Sequence, residues 1–299
     1  MSVLVTGGGG FLGAPLLELL SASGEELHAV HKRPHPPQLA GVQWHRCDLL
    51  DAASVERLIA ELVPARLVHL AWYVEHGKYW QAPENVAWVE ATLRLLRLFI
   101  AAGGRRAVLA GTCAEYAWSR ERYSETAPLV PATMYGVAKN ATREVAERLA
   151  VDAGVELAWT RVFMPYGPAE PPGRLLASVI GALMAGREAP VTEGTQIRDF
   201  IYVDDLARAF AAILDSSLQG AVNVGTGEGT QIRALVECAA QALDRDDLVR
   251  WGAVPQREGE PAELVADVSR LAEEVGFSPA VGVREGVERT VAWWRERAR

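Results

Sequence analysis

Two side chains that could transfer a proton, Tyr135 and Lys139, lie four residues apart at the start of a predicted helix. Residues at this spacing share one helix face. A phenol titrates at about 10 in water, too high for efficient acid–base work at neutral pH, and an adjacent ammonium group lowers that pKa. The pair is therefore a candidate proton-transfer unit, in which Lys139 could also bind a ribose hydroxyl. The alternative is an exposed tyrosine packed along a lysine stem.

A hydroxyl that could act beside Tyr135 belongs to Thr112, at the carboxyl end of the predicted strand Arg106–Gly111. Ligands bind at this end of the strands in open parallel sheets. The Thr112 hydroxyl could therefore hydrogen-bond a substrate oxygen, or it could simply cap a turn.

An aromatic segment, residues 72–80, follows the predicted strand Arg66–Ala71 and so should lie at the same edge of the sheet. Aromatic faces stack on sugars and bases. We expect Trp72 to border a cofactor, and Tyr73 and His76 to contact a substrate. A loop packed on the next helix is the alternative.

A glycine-rich turn near the start of the sequence connects a predicted strand to a predicted helix. Glycines allow a tight turn and let the backbone approach a pyrophosphate, which the N–H groups of the following helix then bind. The spacing is G-x-x-G-x-x-G, and this strand–turn–helix context predicts a nicotinamide-dinucleotide site, with a flexible connection as the alternative. The residues expected to line it are Gly7, Gly10, Phe11, Leu12 and Gly13.

The residues after the second predicted strand bear on the choice of dinucleotide. An acidic residue at this point would bind the ribose 2′-hydroxyl of NAD. Here the strand ends in His31, Lys32 and Arg33, and no acidic residue occurs from Leu27 to Cys47. Positive charge suits the 2′-phosphate of NADP, so NADP(H) is favoured and NAD(H) is the alternative. The cluster could also be a solvated basic loop.

The elements that must position these residues alternate between strand and helix in the first half of the chain. This alternation predicts a doubly wound parallel α/β sheet of the Rossmann type. The predicted strands are Ser2–Thr6, Leu27–His31, Val42–Arg46, Arg66–Ala71, Arg106–Gly111 and Val155–Phe163. The predicted helices are Phe11 to about Ser23, Asp51–Leu62, Pro83–Ala102 and Thr133–Ala153.

A loop rich in proline and glycine after residue 163 breaks this alternation. We expect a dinucleotide-binding domain at 1–163, joined by returning segments at about 197–225, and a smaller, interleaved substrate-binding region at 164–299. Asp204 and Asp205 open a predicted helix, Val203–Leu214, and are expected to cap it rather than to catalyse.

Composition limits the classes of partner. The 299 residues carry a net charge of −8, which argues against nucleic acid. The three cysteines, Cys47, Cys113 and Cys238, suggest neither a disulfide framework nor a metal site. With no signal-peptide pattern and no uncharged apolar run of about 18 residues, we expect a cytoplasmic protein that does not enter a membrane.

Taken in order, these motifs resemble the extended short-chain dehydrogenase/reductase family, the sugar-nucleotide epimerases, dehydratases and reductases, over nearly the whole chain. The matching segments are TGGGGFLG at 6–13, Asp48-Leu49, His69-Leu70-Ala71, Thr112 with Tyr116, Tyr135 with Lys139, Arg161, Tyr166-Gly167-Pro168, RDFIYVDD at 198–205, NVGTG at 223–227 and REGE at 257–260.

The resemblance implies a role for each matching residue. Thr112, Tyr135 and Lys139 would be the catalytic trio. Arg198 and Arg257 would hold the diphosphate of a nucleotide sugar, with surface salt bridges as the alternative. It also implies a homodimer formed through the two predicted helices that begin at Pro83 and Thr133. The remaining cofactor contacts would come from Asp48 and Leu49 beside the adenine and from Leu70 and Ala71 along the cofactor channel.

Departures from the family pattern narrow the expected activity. Family members with 4,6-dehydratase activity carry an Asp-Glu pair directly after the catalytic Thr, but Cys113 and Ala114 stand there in this chain. Met164 replaces an Asn that helps anchor the nucleotide sugar, and Trp88 replaces another family Asn, although Asn85 lies one turn earlier. The string GTCAEY at 111–116 is most similar to reductases of 4-keto-6-deoxy sugar nucleotides.

The resemblance therefore implies an NAD(P)H-dependent 4-ketoreductase acting on a nucleotide-linked sugar. An NAD-dependent sugar-nucleotide 4-epimerase uses the same trio and is the alternative. A non-catalytic cofactor-binding protein is a third hypothesis, which the retained Thr112, Tyr135 and Lys139 disfavour.

Overall fold

The computed structural model describes residues 2–32, 39–118, 122–256 and 259–298. Within these ranges, seven strands pair in parallel to form one sheet in the order β11-β6-β5-β4-β1-β2-β3. The strands are β1 (Ser2–Thr6), β2 (Glu26–His31), β3 (Val42–Arg46), β4 (Arg66–His69), β5 (Arg106–Thr112), β6 (Glu156–Val162) and β11 (Gly220–Val224).

Helices cover both faces of this sheet, so its central strands are largely buried and mainly apolar between their polar ends. All seven residues of β5 are buried. One apolar layer lies beneath α1 (Gly13–Ser21), α6 (Val203–Asp215) and α8 (Ser269–Val275). The other lies beneath α2 (Ala52–Leu62), α3 (Glu84–Ala101) and α4 (Met134–Ala153). The predicted α/β fold with a doubly wound parallel sheet is confirmed.

The strand order reverses between β1 and β4, which creates a crevice at the carboxyl ends of these strands. Thr6, the last residue of β1, is in register with His69, the last residue of β4. The glycine turn, the segment after β4 and the end of β5 are therefore brought to the same edge of the sheet.

The C-terminal half adds a third apolar cluster, built mainly from three helices. Val203–Asp215 and Gly220–Val224 return the chain to the main sheet, within the segment that the sequence predicted; the proposed domain division itself stays a prediction. The additional elements are β7 (Met164–Tyr166), α5 (Leu175–Met184), β8 (Ala189–Pro190), β9 (Ile197–Arg198), β10 (Phe200–Tyr202), β12 (Thr230–Gln231), α7 (Ile232–Leu243), β13 (Val249–Arg250), β14 (Glu263–Leu264) and α9 (Val283–Arg297).

The acidic residues at the starts of two helices have different roles. Asp51 caps α2, because its side chain accepts a hydrogen bond from the Ala53 amide. Asp204 and Asp205 do not cap α6, whose N-cap is Tyr202. The buried Asp205 carboxylate instead accepts the amides of Ala280 and Val281, at 2.9 and 2.8 Å. The predicted cap is thus an anchor for a distant segment.

Candidate functional site

The glycine turn is closed so tightly that two of its positions exclude any side chain. The Gly10 amide donates to the Gly7 carbonyl at 3.0 Å, and Gly7 has a φ of +74°. A Cβ on Gly7 would lie 2.8 Å from the Ala71 nitrogen, and a Cβ on Gly13 would lie 2.6 Å from the Gly8 Cα. The backbones of β1, α1 and the segment after β4 therefore meet with no room between them.

Helix α1 begins at Gly13, two residues later than predicted, because Phe11 and Leu12 belong to the turn. Its N-cap, Leu12, makes no side-chain capping bond. At the start of α1 the Ala14 amide donates to the Gly10 carbonyl at 3.0 Å, and Pro15 has no N–H. The Gly13 amide begins the helix beside a turn backbone made largely of glycines. This cradle fits the pyrophosphate of a dinucleotide.

The structure describes only part of the predicted basic cluster His31, Lys32 and Arg33. Lys32 Nζ lies 2.7 Å from an oxygen of Asp48, and the Leu50 amide donates to the other Asp48 oxygen at 3.1 Å. Partial burial opposes the change, but these bonds lower the pKa of Asp48 overall. His31 packs edge-on against Trp44, and Arg33 lies outside the described residues. The Lys32 charge is therefore balanced by Asp48.

Thr112 and Tyr135 are brought into contact by two capped elements. Thr112 ends β5 and caps a short 3-10 helix, Cys113–Glu115, by accepting the Ala114 amide at 3.2 Å. Tyr135 lies in the first turn of α4, which Thr133 caps. The Thr112 side chain lies close enough to Tyr135 to oppose the rise in the pKa of its phenol. The two predicted catalytic hydroxyls therefore converge from a strand end and a helix start.

Burial controls the protonation of Tyr135 and Lys139. Burial raises the pKa of Tyr135, and Tyr79 adds to the rise while Thr112 opposes it, so the lowering that the sequence predicted from Lys139 does not prevail. Tyr135 is thus a neutral phenol at neutral pH, in the proton-donating form. Burial also lowers the pKa of Lys139 to about 7, against a smaller opposite effect of Glu115. The Lys139 ammonium donates to the Ala110 carbonyl at 2.8 Å.

Glu115 is a buried carboxylate that the sequence analysis did not single out. It accepts three hydrogen bonds of 2.9 Å, from the Thr112 amide, from Trp159 Nε1 and from Arg161 Nε. The pattern T-x-x-E at 112–115 is a capping-box signature and could have identified it. Because Glu115 is committed to these partners, it holds the end of β5 in place and is not free to act as an acid or base.

The two residues that follow Thr112 offer no carboxylate. Cys113 and Ala114 are both buried, and burial raises the pKa of the Cys113 thiol to about 12. Neither residue can exchange a proton at neutral pH, so the acid–base pair expected of a 4,6-dehydratase is missing from these positions.

His69, the last residue of β4 and the first of the motif His69-Leu70-Ala71, has a structural role. Its Nδ1 lies 2.7 Å from Thr6 Oγ1 and its Nε2 lies 2.9 Å from Thr92 Oγ1. Burial, together with the nearby Lys139 charge, lowers the pKa of His69 to about 3. The imidazole is neutral and links β1, β4 and α3 beneath the site, while Leu70 and Ala71 lie beyond it, half-buried at the crevice.

The aromatic segment approaches Tyr135 and Lys139 from one side. Tyr79 and Trp80 pack edge-on against the Tyr135 ring, with centroids 4.9 and 5.9 Å away. The Trp72 ring is stacked on Lys139, with Nζ 3.8 Å from its centroid. Trp72 therefore contacts Lys139, one of the predicted catalytic residues, and its predicted contact with a cofactor stays a prediction.

Tyr73 and His76 occupy the rim of this site. The Tyr73 hydroxyl donates to Glu75 at 3.0 Å. His76 is exposed and faces Gly173, at which a Cβ would lie 3.1 Å from the imidazole. Their predicted contact with substrate stays a prediction.

The predicted substrate residues of the C-terminal half are only partly placed. Arg198 is buried in β9 and donates to Glu260 and to the Ile197 carbonyl, each at 2.8 Å. Met164 lies half-buried in β7, and Arg257 lies outside the described residues. Binding of a diphosphate by Arg198 would thus compete with its Glu260 ion pair, and this role stays a prediction.

Arg174 is a further residue at the site that sequence reasoning missed. Its guanidinium lies 5.5 Å from the Phe11 ring of the glycine turn and donates to Glu170 and to the Pro165 carbonyl, at 2.9 and 2.7 Å. No local pattern marks it, because the contact joins two segments that are far apart in the sequence.

Two other kinds of site find no support in the described ranges. No group of three or more histidine, cysteine, aspartate or glutamate residues there could hold a metal ion. No described helix has both the length and the apolar character that crossing a bilayer requires.

Comparison with known proteins agrees with this geometry. The dTDP-glucose 4,6-dehydratase of Streptomyces griseus is 28% identical over 315 residues, covering 98% of this chain and 94% of that protein. The UDP-glucose 4-epimerase of Mycolicibacterium smegmatis is 27% identical over 321 residues, covering 100% of both. The solved structure of the Thermus thermophilus UDP-glucose 4-epimerase in complex with NAD matches with a TM-score of 0.88 at 29% identity, covering 99% of each chain.

A family model matches residues 3–225, a stretch that contains the glycine turn and all three predicted catalytic residues. That stretch is well over half of the 299 residues. The chain therefore belongs to the NAD dependent epimerase/dehydratase family, as its resemblance to the extended short-chain dehydrogenases/reductases predicted.

Proposed function

We propose that this chain reduces a keto group on a nucleotide-linked sugar, with NAD(P)H as the reductant and C4 as the reacting carbon. The observation that carries the proposal is the burial of Tyr135 next to Thr112, which keeps the Tyr135 side chain as a neutral phenol. A reductase needs a proton donor at this position at the start of its reaction. A phenol that is already protonated meets that need.

Each member of the trio has a role in this reaction. When bound, the reduced nicotinamide supplies a hydride to the carbonyl carbon. Tyr135 donates its proton to the oxygen as negative charge develops there, while the Thr112 hydroxyl polarises the same oxygen. Lys139 binds the ribose and favours the phenolate that remains. Positioned acid catalysis of this kind accelerates reactions by about 10²–10⁴-fold.

Dehydration is not proposed, although a dTDP-glucose 4,6-dehydratase is among the relatives. Removing water from a sugar needs an acid and a base beside the trio. Cys113 and Ala114 provide neither, and the Glu115 carboxylate is bound to Arg161. The described residues directly after Thr112 thus lack the groups for elimination.

A sugar-nucleotide 4-epimerase is the second candidate. Its support is the Mycolicibacterium smegmatis UDP-glucose 4-epimerase, which this chain matches from end to end. An epimerase would use the same trio, first removing hydride from C4 and then returning it to the opposite face, so the dinucleotide would be regenerated in each cycle.

Stoichiometry separates the two candidates. The purified protein is incubated with NADPH or NADH and with dTDP-4-keto-6-deoxyglucose, and separately with UDP-galactose. A reductase oxidises one dinucleotide per sugar reduced, measured by the near-ultraviolet absorbance of the reduced nicotinamide and by chromatography of the sugar nucleotide. Conversion of UDP-galactose to UDP-glucose with no net change in the dinucleotide would contradict the reductase proposal and support the epimerase.

The same assay decides between the dinucleotides. The basic sequence after β2 favours NADP(H), and this preference stays a prediction. Two observations favour NAD(H): the Lys32 charge is balanced by Asp48, and the Thermus thermophilus relative was solved with NAD. A lower KM for NADPH would support the prediction, and a lower KM for NADH would contradict it.

A further inference from the structure

The Lys139 ammonium is held on two sides by groups of this chain. One hydrogen is donated to the Ala110 carbonyl at 2.8 Å. The Trp72 indole covers another side of the ammonium, with Nζ 3.8 Å from the ring centroid. An ammonium group has three donors, so these contacts fix the direction of the third. That third donor is the one available to a ribose hydroxyl.

The plane of the indole is itself fixed by Asn85. Trp72 Nε1 donates to Asn85 Oδ1 at 2.8 Å, and both residues are buried. Asn85 Nδ2 donates to the carbonyls of Tyr79 and Ala82, at 2.7 and 2.9 Å. Both amide hydrogens and the amide oxygen are thus in use, which leaves the Trp72 ring little freedom to tilt.

The same asparagine orders the turn that packs on Tyr135. Tyr79 stands edge-on to the Tyr135 ring, and the Trp80 carbonyl accepts the Tyr135 amide at 3.1 Å. Asn85 therefore hydrogen-bonds both to the indole that contacts Lys139 and to the turn that packs on Tyr135. One side chain thus positions neighbours of both Lys139 and Tyr135.

The charged and titratable groups that face Lys139 do not neutralise it. Glu115, from the 3-10 helix, is paired with Arg161. His69, from β4, is neutral, and Tyr135, on the same helix as Lys139, is a neutral phenol. No ion pair joins Lys139 to a carboxylate in the part of the chain that the structure describes. The indole face therefore adds to the Ala110 carbonyl and to the charge of Glu115 in stabilising the buried ammonium.

We propose that Trp72 is a positioning residue for Lys139, whose ammonium it keeps charged and directed through a cation–π contact, and that Asn85 holds the indole in the required plane. The catalytic meaning of this proposal rests on the proposed function, because a correctly directed Lys139 binds the ribose and assists Tyr135. The contact itself can be tested without substrate or cofactor.

The sequence allows an unusually direct measurement, since it contains only three lysines, Lys32, Lys78 and Lys139. Protein labelled with ¹³Cε-lysine should give three signals, and Lys139→Arg identifies the one from Lys139. Lys32 and Lys78 are exposed and paired with Asp48 and Glu75. We expect the Lys139 signal of the wild type to titrate with a midpoint of about 7.

Trp72→Leu removes the aromatic face and should lower the titration midpoint of Lys139 by about 0.5 to 1.5 pH units. A shift of this size corresponds to the free energy of an ordinary cation–π contact. Trp72→Phe keeps a weaker face and should lower the midpoint less. Trp88→Leu is the matched control: it removes an indole 6.1 Å from that of Trp72, in the same aromatic cluster, and should leave the midpoint unchanged.

An unchanged or raised midpoint in Trp72→Leu would overturn the proposal, as would an equal drop in Trp88→Leu. Circular dichroism establishes whether each variant is folded. If Trp72→Leu does not fold, the shift of the Lys139 midpoint in Trp72→Phe tests the proposal instead. Affinity for NADH and NADPH is measured separately, on either side of the lysine midpoint. A shifted lysine midpoint without any dinucleotide binding would sink the proposed function but leave the positioning role standing.

Discussion

At the scale of single residues, the site depends on groups whose protonation is set by burial. Tyr135 is a neutral phenol because its ring is buried against the aromatic segment, which raises its pKa. Thr112 does two things at once, since it also caps the 3-10 helix after β5. Loss of its hydroxyl should therefore affect both chemistry and stability.

Two substitutions separate these effects of Thr112. Thr112→Ala removes the hydroxyl and should lower turnover roughly 10²-fold, as loss of a donor to a developing oxyanion does. It should also reduce the free energy of unfolding by about 0.5–2 kcal/mol through loss of the cap. Thr112→Ser keeps the hydroxyl and should restore both, as measured by steady-state kinetics and urea unfolding. Full turnover in Thr112→Ala would remove Thr112 from the catalytic trio.

At this scale, the sequence predicted arrangements that depend on local spacing. It did not predict contacts between residues that are far apart in the sequence. The spacing of Tyr135 and Lys139 was sufficient to place both on one helix face. The stacking of Trp72 on Lys139 was not foreseeable, because it depends on how the segment after β4 packs against α4. The same holds for Arg174 over the Phe11 ring.

At the scale of elements, the glycine turn is the most constrained part of the site. Strand and helix ends followed from apolar periodicity to within about two residues, because buried runs and caps are local signals. The start of α1 differed because Phe11 and Leu12 continue the apolar pattern while still belonging to the turn. Apolar periodicity alone cannot distinguish a residue in the turn from a residue in the first turn of the helix.

Gly13→Ala tests the close approach within this turn. The added Cβ would overlap the Gly7 carbonyl oxygen and lie 2.6 Å from the Gly8 Cα. Since backbone must move to accommodate it, the affinity for the preferred dinucleotide should fall on the order of tenfold or more in a fluorescence titration.

Gly181→Ala provides the matched control for this prediction. Gly181 lies within α5, and a Cβ there meets nothing within 4 Å. The substitution should leave dinucleotide affinity unchanged and should stabilise the helix slightly. Equal affinities in the two variants would show that the turn does not cradle the dinucleotide.

At the scale of the whole molecule, the parallel sheet explains why distant residues meet. Its strand order places the carboxyl ends of β1, β4 and β5 side by side, so the glycine turn, the aromatic segment and Thr112 share one crevice. This convergence was predictable, because it follows from the direction of parallel strands. The anchoring of Ala280 and Val281 by Asp205 was not, since it links a helix of the sheet to the C-terminal part of the chain.

The predicted homodimer also belongs to this scale, and it stays a prediction. The helices named for it, α3 and α4, pack together beside the sheet. Val86 on α3 and Val137 and Val145 on α4 are exposed, which leaves apolar surface on both helices. Such surface is compatible with an interface between copies of this chain.

The central claim is that Tyr135 donates a proton to the oxygen of a sugar carbonyl while the dinucleotide is consumed. Its most direct test is Tyr135→Phe, assayed for oxidation of NAD(P)H with dTDP-4-keto-6-deoxyglucose. The wild type should consume one dinucleotide per sugar reduced, and the variant should be slower by about 10²–10⁴-fold while still binding the dinucleotide. Undiminished turnover in Tyr135→Phe would contradict the account.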